Sequence, residues 1–260
     1  SNATKMKYFI LSMLITLASC SNNASAPKNA NDMTNPDTTT TIPKQATSLQ
    51  AKLDARKTEW AQAATVERKR IYQDGIQAVI DGGIYEQAKN VGDKAPDFTL
   101  KNATGQEVRL SDYLEKGPAI LTWYRGGWCP YCNLTLNRLQ QELPAFQAAG
   151  ANLLALTPEL PDKSISTSEK HGLAFEVLSD IGNTVAKDYG IVFKLTPEVA
   201  EVYHNAFDLE AYNGDDSDEL PLAATYVIQQ DGTISYAFLD AEYRNRAEPA
   251  DILAALKAIQ

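Results

Sequence analysis

Apolar and polar positions follow two different periods along this chain of 260 residues. Over residues 48–90 the apolar positions recur at helical spacing, and Gly82-Gly83 interrupts the second stretch, which predicts two helices. From residue 91 onward, short apolar runs alternate with longer amphipathic segments. This alternation predicts an α/β domain with a central mixed β-sheet flanked by helices, and makes the two earlier helices an N-terminal extension.

Most elements of the α/β domain can be predicted individually. Strands are predicted at 119–123, 151–157 and 175–178, with a hairpin joining 225–228 to 233–238. Helices are predicted at 134–149, 163–172, 183–189, 197–207 and 249–259. The stretch between the first of these strands and the first of these helices contains two cysteines.

The first 47 residues have a different character. Ser1-Asn2-Ala3 looks like a cloning scar, and lysines then precede an apolar run that is short for a membrane span and typical of a secretory signal. The run ends at Leu17-Ala18-Ser19-Cys20, which resembles the lipobox of bacterial lipoproteins. An ordinary signal peptide cleaved near Ala18, or a short anchor, is the alternative. We expect lipidation of Cys20, with the protein anchored on the periplasmic side of a bacterial membrane.

These features predict four segments. Residues 1–20 combine the scar with the lipoprotein signal peptide, and residues 21–47 form a disordered tether rich in Asn, Thr, Ser, Ala and Pro. Residues 48–90 form the helical extension, and residues 91–260 form the α/β domain.

Charge and cysteine content restrict the function. A net charge of −9 and a pI near 4.8 argue against a nucleic-acid partner. Lipidation of Cys20 leaves one cysteine pair, Cys129 and Cys132. A zinc site needs four ligands, and only His171 and His204 could add imidazoles to that pair. We therefore expect no metal, and no cofactor beyond the dithiol.

The cysteine pair lies in Cys129-Pro130-Tyr131-Cys132, between a predicted strand and a predicted helix. This placement indicates a thioredoxin-like redox motif. Pro130 suits the first helical position, which makes Cys129 the N-cap, where unpaired N–H groups and the helix dipole favour a thiolate. A structural disulfide is the alternative, although so short a loop constrains the unfolded chain little.

Neighbouring residues complete the predicted site. Gly126 and Gly127 would leave room for a substrate, and Trp128 would offer an apolar face beside the sulfur. We expect Gly127, Trp128, Pro130 and Tyr131 to contact the substrate. Arg125 would be the cation beside the sulfurs, the alternative being a surface arginine on an exposed turn.

Two segments carry a family resemblance. Residues 91–100 (VGDKAPDFTL) and 108–114 (VRLSDYL) resemble the opening segment of AhpC/TSA-type peroxiredoxins, and the similarity extends to the C-terminus. The Cys-Pro-Tyr-Cys sequence also matches the dithiol of glutaredoxins. The resemblance implies a thioredoxin-like fold, a peroxide or protein-disulfide substrate and an external thiol reductant. An oligomer is also possible, with a dimer contact through the two N-terminal helices.

The chain also departs from the peroxiredoxin pattern. Pro-x3-Thr-x2-Cys overlays Arg125, Cys129 and Cys132, which makes Cys132 the peroxidatic cysteine by position. The helix-cap argument favours Cys129 instead, so we expect Cys129 to serve disulfide exchange and leave Cys132 open as the peroxide-reactive thiol. Ala223 stands where thioredoxin-like proteins have a cis-proline and peroxiredoxins an arginine.

Other candidate residues carry weaker signals. His171 is interpreted as a helix cap, and His204 as facing solvent or packing locally. The acidic stretch 213–219 lacks the ligand spacing of a calcium loop and is interpreted as solvated. Residues 243–246 (Tyr-Arg-Asn-Arg) are a hypothetical source of positive charge near the dithiol, with Arg244 as the residue to test.

Three functions remain open. The first is an extracytoplasmic thiol-dependent oxidoreductase of the peroxiredoxin-like type, which reduces peroxides through a Cys-x-x-Cys dithiol/disulfide cycle. The second is thiol-disulfide exchange on exported protein thiols. The third is a non-catalytic thioredoxin-fold binding module in which the pair is a static bridge.

Overall fold

The computed structural model describes residues 48–260. The predicted signal peptide, Cys20 and the tether lie outside the described residues. Within 48–260, every helix is too short or too polar to cross a membrane.

The helices and strands largely match the predicted ones. The helices are α1 Leu49–Ala63, α2 Val66–Asp81, α3 Ile84–Gln87, α4 Leu110–Leu114, α5 Pro130–Ala148, α6 Pro161–His171, α7 Thr184–Asp188, α8 Pro197–Phe207, α9 Leu209–Asn213 and α10 Pro249–Ala258. The strands are β1 Thr99–Asn102, β2 Glu107–Arg109, β3 Ala119–Trp123, β4 Asn152–Thr157, β5 Glu176–Ser179, β6 Val192–Lys194, β7 Glu219–Pro221, β8 Thr225–Ile228 and β9 Ile234–Phe238.

Seven strands form one mixed sheet in the order β2-β1-β5-β4-β3-β8-β9. Strand β3 runs parallel to β4 and antiparallel to β8, and all of its residues are buried. A strand flanked on both sides and buried on both faces is expected to be uniformly apolar, as Ala119-Ile120-Leu121-Thr122-Trp123 nearly is. The end of this central strand therefore delivers the cysteine turn to a rigid position.

The N-terminal extension is part of the folded domain. Leu49 and Leu53 of α1 are fully buried in the apolar cluster that includes α5 and α10. The backbone N–H groups of Leu49 and Gln50 both donate to the Glu248 carboxylate, at 3.0 Å each. The first N–H groups of a helix have no hydrogen-bond partner within it, so this carboxylate supplies acceptors for the first turn of α1. Helix α2 contributes Ile76 to the cluster on the other face of the sheet.

A second, two-stranded sheet was not predicted. Its strands β6 and β7 pair antiparallel, with Val192 opposite Pro221. Each strand has three residues, too few to show the alternation of buried and exposed positions that marks a strand. The two strands are distant in sequence and become neighbours only when the chain folds. The pair β1–β2 and helix α9 escaped prediction for the same reason.

We expect Leu53→Ala to lower the free energy of unfolding by about 2–5 kcal/mol, because it leaves a cavity between α1 and α5. Urea denaturation of the full chain measures this, with the exposed Glu59→Ala on the same helix as control. A loss no larger than that of the control would show that α1 is only loosely docked.

Candidate active site

Both cysteines lie at the beginning of α5. Cys129 is the N-cap residue, Pro130 occupies the first turn, and Cys132 follows in that turn. Both are free thiols, and their exposed fractions are 1% and 0%. The predicted strand–turn–helix arrangement is present, with a dithiol that is buried.

The two sulfurs have different partners. Cys132 Sγ lies 3.2 Å from Arg246 Nη2 and accepts the backbone N–H of Arg125 at 3.4 Å. Cys129 Sγ has the Arg125 Nη1 group at a longer distance, 3.9 Å. No capping hydrogen bond from the α5 backbone reaches the Cys129 side chain. The expectation that the first N–H groups of the helix would serve the Cys129 sulfur is therefore wrong.

These contacts separate the acidities of the two thiols. Burial opposes ionisation of Cys132, but the neighbouring Cys129 thiol, Arg246 and Arg125 outweigh it and hold the pKa of Cys132 well below its usual range. Burial raises the pKa of Cys129 well above its usual range, and the adjacent Cys132 raises it further. The site therefore favours one thiolate, on Cys132, beside one neutral thiol, on Cys129.

Arg125 is buried, with an exposed fraction of 2%. Its Nη2 donates to the hydroxyl of Tyr203, and its guanidinium carbon lies 4.1 Å from the centre of the Tyr243 ring and 4.9 Å from that of Trp128. Aromatic faces attract a cation, so this cage holds the guanidinium beside the sulfurs. The alternative of a surface arginine is wrong.

The two glycines of the turn have a different role from the one expected. A Cβ on Gly127 would lie 2.3 Å from Thr167 Oγ1, and one on Gly126 would lie 2.1 Å from Trp128 Nε1. Such contacts are far inside van der Waals distance, so the glycines allow close packing of the turn. They do not leave open space for a substrate.

The aromatic residues of the motif are packed against the domain. Trp128 stacks on Phe207, with ring centres 4.3 Å apart, and the Tyr131 ring meets the edge of Tyr243 at 5.9 Å. Tyr131 is buried, which argues against direct contact with a substrate. The partly exposed residues around Cys129 are Gly127, Trp128 and Pro130.

Positive charge does come from residues 243–246, as hypothesised, but through Arg246. Arg244 forms a bidentate contact with Glu242, at 2.6 Å from each of two nitrogens, and lies over the Trp60 ring. Arg125 is therefore accompanied by a second cation at the sulfurs.

Glu159 is a site residue that the sequence analysis missed. It follows β4, is fully buried, and its Oε1 accepts the Gly127 N–H at 2.7 Å. Its Oε2 has no hydrogen-bond partner among the described residues. Burial raises the pKa of Glu159 to about 7, against the stabilising hydrogen bond from Gly127. Nothing in its sequence context, Thr157-Pro158-Glu159, indicated that the side chain turns inward.

The two histidines lie outside this site. His171 ends α6 before Gly172, which has the left-handed conformation of a helix C-cap. His204 Nε2 lies 2.7 Å from Asp218. Among residues 48–260, no cluster of three or more Cys, His, Asp and Glu side chains has the arrangement needed for a metal ion.

A narrow cavity lies beside Arg125, on the side of the extension. Its wall includes Tyr72, Val79, Arg125, Val199, Tyr203 and Tyr243, and neither cysteine lines it. Arg125 Nε is buried without a hydrogen-bond partner in the described part of the chain. A buried donor of this kind is costly unless something else satisfies it, and Arg125 is also part of the cavity wall.

A buried dithiol at the start of a helix, delivered by the central strand of a mixed sheet, defines a thioredoxin-fold thiol protein. Within that class the assignment is specific: the AhpC/TSA family model matches residues 91–237, more than half of the chain. The chain belongs to the AhpC/TSA family.

Curated relatives come from two kinds of thiol protein. The chain is 33% identical over 102 residues to thiol-disulfide oxidoreductase ResA of Geobacillus thermodenitrificans, an alignment covering 39% of this chain and 58% of that protein. It is 29% identical over 102 residues to a chloroplastic peroxiredoxin Q of Populus jackii, covering 39% of this chain and 47% of that protein. The chain thus spans about half to three-fifths of the length of these relatives.

Solved structures support the fold. Peroxidoxin BcpB of Mycobacterium tuberculosis has a TM-score of 0.54 at 24% identity, covering 66% of this chain and 98% of that one. Reduced 2-Cys peroxiredoxin of Plasmodium vivax has a TM-score of 0.52 at 21% identity, covering 66% and 82%.

We expect Glu159→Gln to stabilise the protein increasingly as pH rises from about 4.5 to about 7, and by a constant amount above that. The raised pKa means that the folded protein retains a proton that the unfolded chain has released, so wild-type stability falls through this window. Glutamine keeps an acceptor for Gly127 and has no proton to lose.

Urea denaturation of both proteins over this pH range measures the difference, with the surface substitution Glu201→Gln as control. A difference that does not change with pH would mean that Glu159 ionises as it does in the unfolded chain.

Proposed function

We propose that the protein is a thiol peroxidase of the peroxiredoxin-like type, in which Cys132 attacks the peroxide and Cys129 resolves the product. The contact of Arg246 with Cys132 Sγ at 3.2 Å carries this assignment. A thiolate is the reactive form of cysteine, and the sulfur with the cation and the backbone N–H is the one that ionises first. The position of Cys132 in the peroxiredoxin pattern supports the same choice.

The reaction balances as follows. An electron pair of the Cys132 thiolate attacks one peroxide oxygen, the O–O bond breaks, and the other oxygen leaves as an alcohol or water after taking a proton. Cys132 is then a sulfenic acid. The Cys129 thiol attacks that sulfur, the S–O bond breaks, water leaves and an internal disulfide forms. An external dithiol reductant reopens the disulfide by two exchange steps, supplying two electrons and two protons.

The cavity beside Arg125 is the proposed approach for the peroxide. Both sulfurs are buried and neither lines this cavity. Its wall includes Arg125, whose backbone N–H donates to Cys132 Sγ at 3.4 Å and whose Nη1 lies 3.9 Å from Cys129 Sγ. The Arg125 Nε group, which has no hydrogen-bond partner within residues 48–260, can donate to a peroxide oxygen, and positive charge there stabilises the negative charge that develops as the O–O bond breaks.

Thiol-disulfide exchange is the second candidate. The resemblance to ResA supports it, as does the placement of Cys129 at the N-cap with the partly exposed Gly127, Trp128 and Pro130 around it. In this version Cys129 forms the mixed disulfide with a protein substrate and Cys132 releases it. The raised pKa of Cys129 makes this the slower reaction at neutral pH.

The proposed location is extracytoplasmic, with a lipid on Cys20. The support is the lipobox-like sequence Leu17-Ala18-Ser19-Cys20. Labelled palmitate should be incorporated into the protein in bacteria and lost in Cys20→Ser. Retention of the label in that variant would contradict lipidation at this cysteine.

We expect fast, saturable oxidation of the reduced protein by hydrogen peroxide in stopped-flow measurements of tryptophan fluorescence. Trp128 should report it, because its ring lies beside Arg125 at the dithiol. Cys132→Ser should abolish the reaction, since it removes the thiolate. Cys129→Ser should retain the first step and accumulate sulfenic acid.

The reverse pattern in these two variants would make Cys129 the nucleophile. Oxidation no faster than that of a simple thiol in all three proteins would exclude the peroxidase. Insulin reduction would then distinguish the exchange enzyme from a binding module without redox activity.

A further inference from the structure

The cation that contacts Cys132 comes from outside the part of the chain that matches the family. The match ends at residue 237, whereas Arg246 lies between β9 and α10. Arg246 is buried and forms no ion pair with any carboxylate in the described residues. Its guanidinium contacts the Asn245 carbonyl and Cys132 Sγ. Its position therefore depends on how the backbone of residues 240–248, the arginine segment, is held.

The arginine segment is held partly from within. The Asn245 side-chain amide donates to Asp240 Oδ2 at 2.8 Å, and the Asn245 N–H donates to the Glu242 carbonyl at 2.9 Å. These contacts shape the turn, and the Tyr243 ring, 5.9 Å from that of Tyr131, links it directly to the helix that carries the cysteines.

Residues of the N-terminal extension also hold the arginine segment in place. Glu248 accepts the first two N–H groups of α1, and Lys57 Nζ donates to Asn245 Oδ1 at 3.1 Å. The guanidinium of Arg244 lies over the Trp60 ring at 5.2 Å, and Tyr72 of α2 meets the edge of Tyr243 at 6.5 Å. These contacts involve Glu248, Asn245, Arg244 and Tyr243, on both sides of Arg246.

Helix α1 is in turn fixed to the cysteine helix. The side chains of Leu49 and Leu53 are fully buried in the same apolar cluster as Leu136 and Phe146 of α5. Helix α1 therefore connects the arginine segment to the helix that carries Cys132. Like Arg246, helix α1 lies outside residues 91–237, the part of the chain that the family model matches.

We propose that the N-terminal extension is a positioning element, which holds Arg246 against Cys132 Sγ through Glu248 and Lys57. Glu248 is the positioning residue, since its carboxylate joins the start of α1 to the end of the arginine segment. The inference rests on the proposed function in taking Cys132 as the working thiolate.

The test is the acid dissociation constant of Cys132, measured by the ultraviolet absorbance of its thiolate in the full chain carrying Cys129→Ser. The charged and titratable groups around the Cys132 sulfur are then Arg125, Arg246, Tyr124 and Glu159. The substitutions below change either Arg246 or a residue that holds the arginine segment in place. We expect Glu248→Ala to lower the dissociation constant about tenfold, which corresponds to about 1.4 kcal/mol. Glu248→Gln, which keeps one acceptor oxygen, should lower it less.

Arg246→Met should lower the constant at least as much, and adding Glu248→Ala to it should have no further effect, because the two act through one contact. Glu67→Gln, an exposed carboxylate of α2, controls for the loss of one negative charge. Circular dichroism verifies folding, and Lys57→Met provides a milder second variant with an effect in the same direction.

Two results would overturn the proposal: an unchanged dissociation constant in Glu248→Ala and Lys57→Met, or a Glu248→Ala effect that persists in full alongside Arg246→Met. The titration uses no peroxide. A protein without peroxidase activity can therefore still show the positioning effect, and an active peroxidase can lack it.

Discussion

A negative charge on a buried sulfur is the constraint around which this site is built. Cys132 has no exposed surface, so water cannot solvate its thiolate, and an unpaired buried charge is strongly unfavourable. Arg246 and the Arg125 N–H compensate for the lost water. Arg125 carries a buried charge of its own, and the rings of Trp128, Tyr203 and Tyr243 surround it.

Which of the two thiols ionises first depends on two effects: the helix N-terminus stabilises a thiolate on Cys129, and the Arg246 guanidinium stabilises one on Cys132. A helix dipole contributes about 0.3–1 kcal/mol at an exposed terminus and up to about 2 kcal/mol in a partly buried geometry. A hydrogen bond to a charged group contributes about 1.5–3 kcal/mol. Cys129 has the N-cap position without a capping hydrogen bond from α5, and Arg125 Nη1 lies 3.9 Å from its sulfur. Cys132 has Arg246 at 3.2 Å and the Arg125 N–H at 3.4 Å. The magnitudes favour ionisation of Cys132.

Sequence patterns were most informative where burial is uniform or periodic. Strand β3 and helix α8 have the predicted bounds, because one is a continuous apolar run and the other has an N-capping Thr196, a first-turn Pro197 and a helical period. The hairpin β8–β9 was predicted from its Asp-Gly turn. Strands β6 and β7 were missed, since they are short and pair across an intervening pair of helices.

The sequence by itself determined the mixed α/β fold, the strand–turn–helix around the dithiol and the N-cap position of Cys129. These follow from local periods and from proline and cysteine spacing. The tertiary structure alone decided that Glu159 supports the turn, that Tyr203 holds Arg125 and that Arg246 reaches Cys132. Those pairs lie 32, 78 and 114 positions apart. A local period shows which face of an element is buried, but only the packing of the elements determines which distant side chain meets that face.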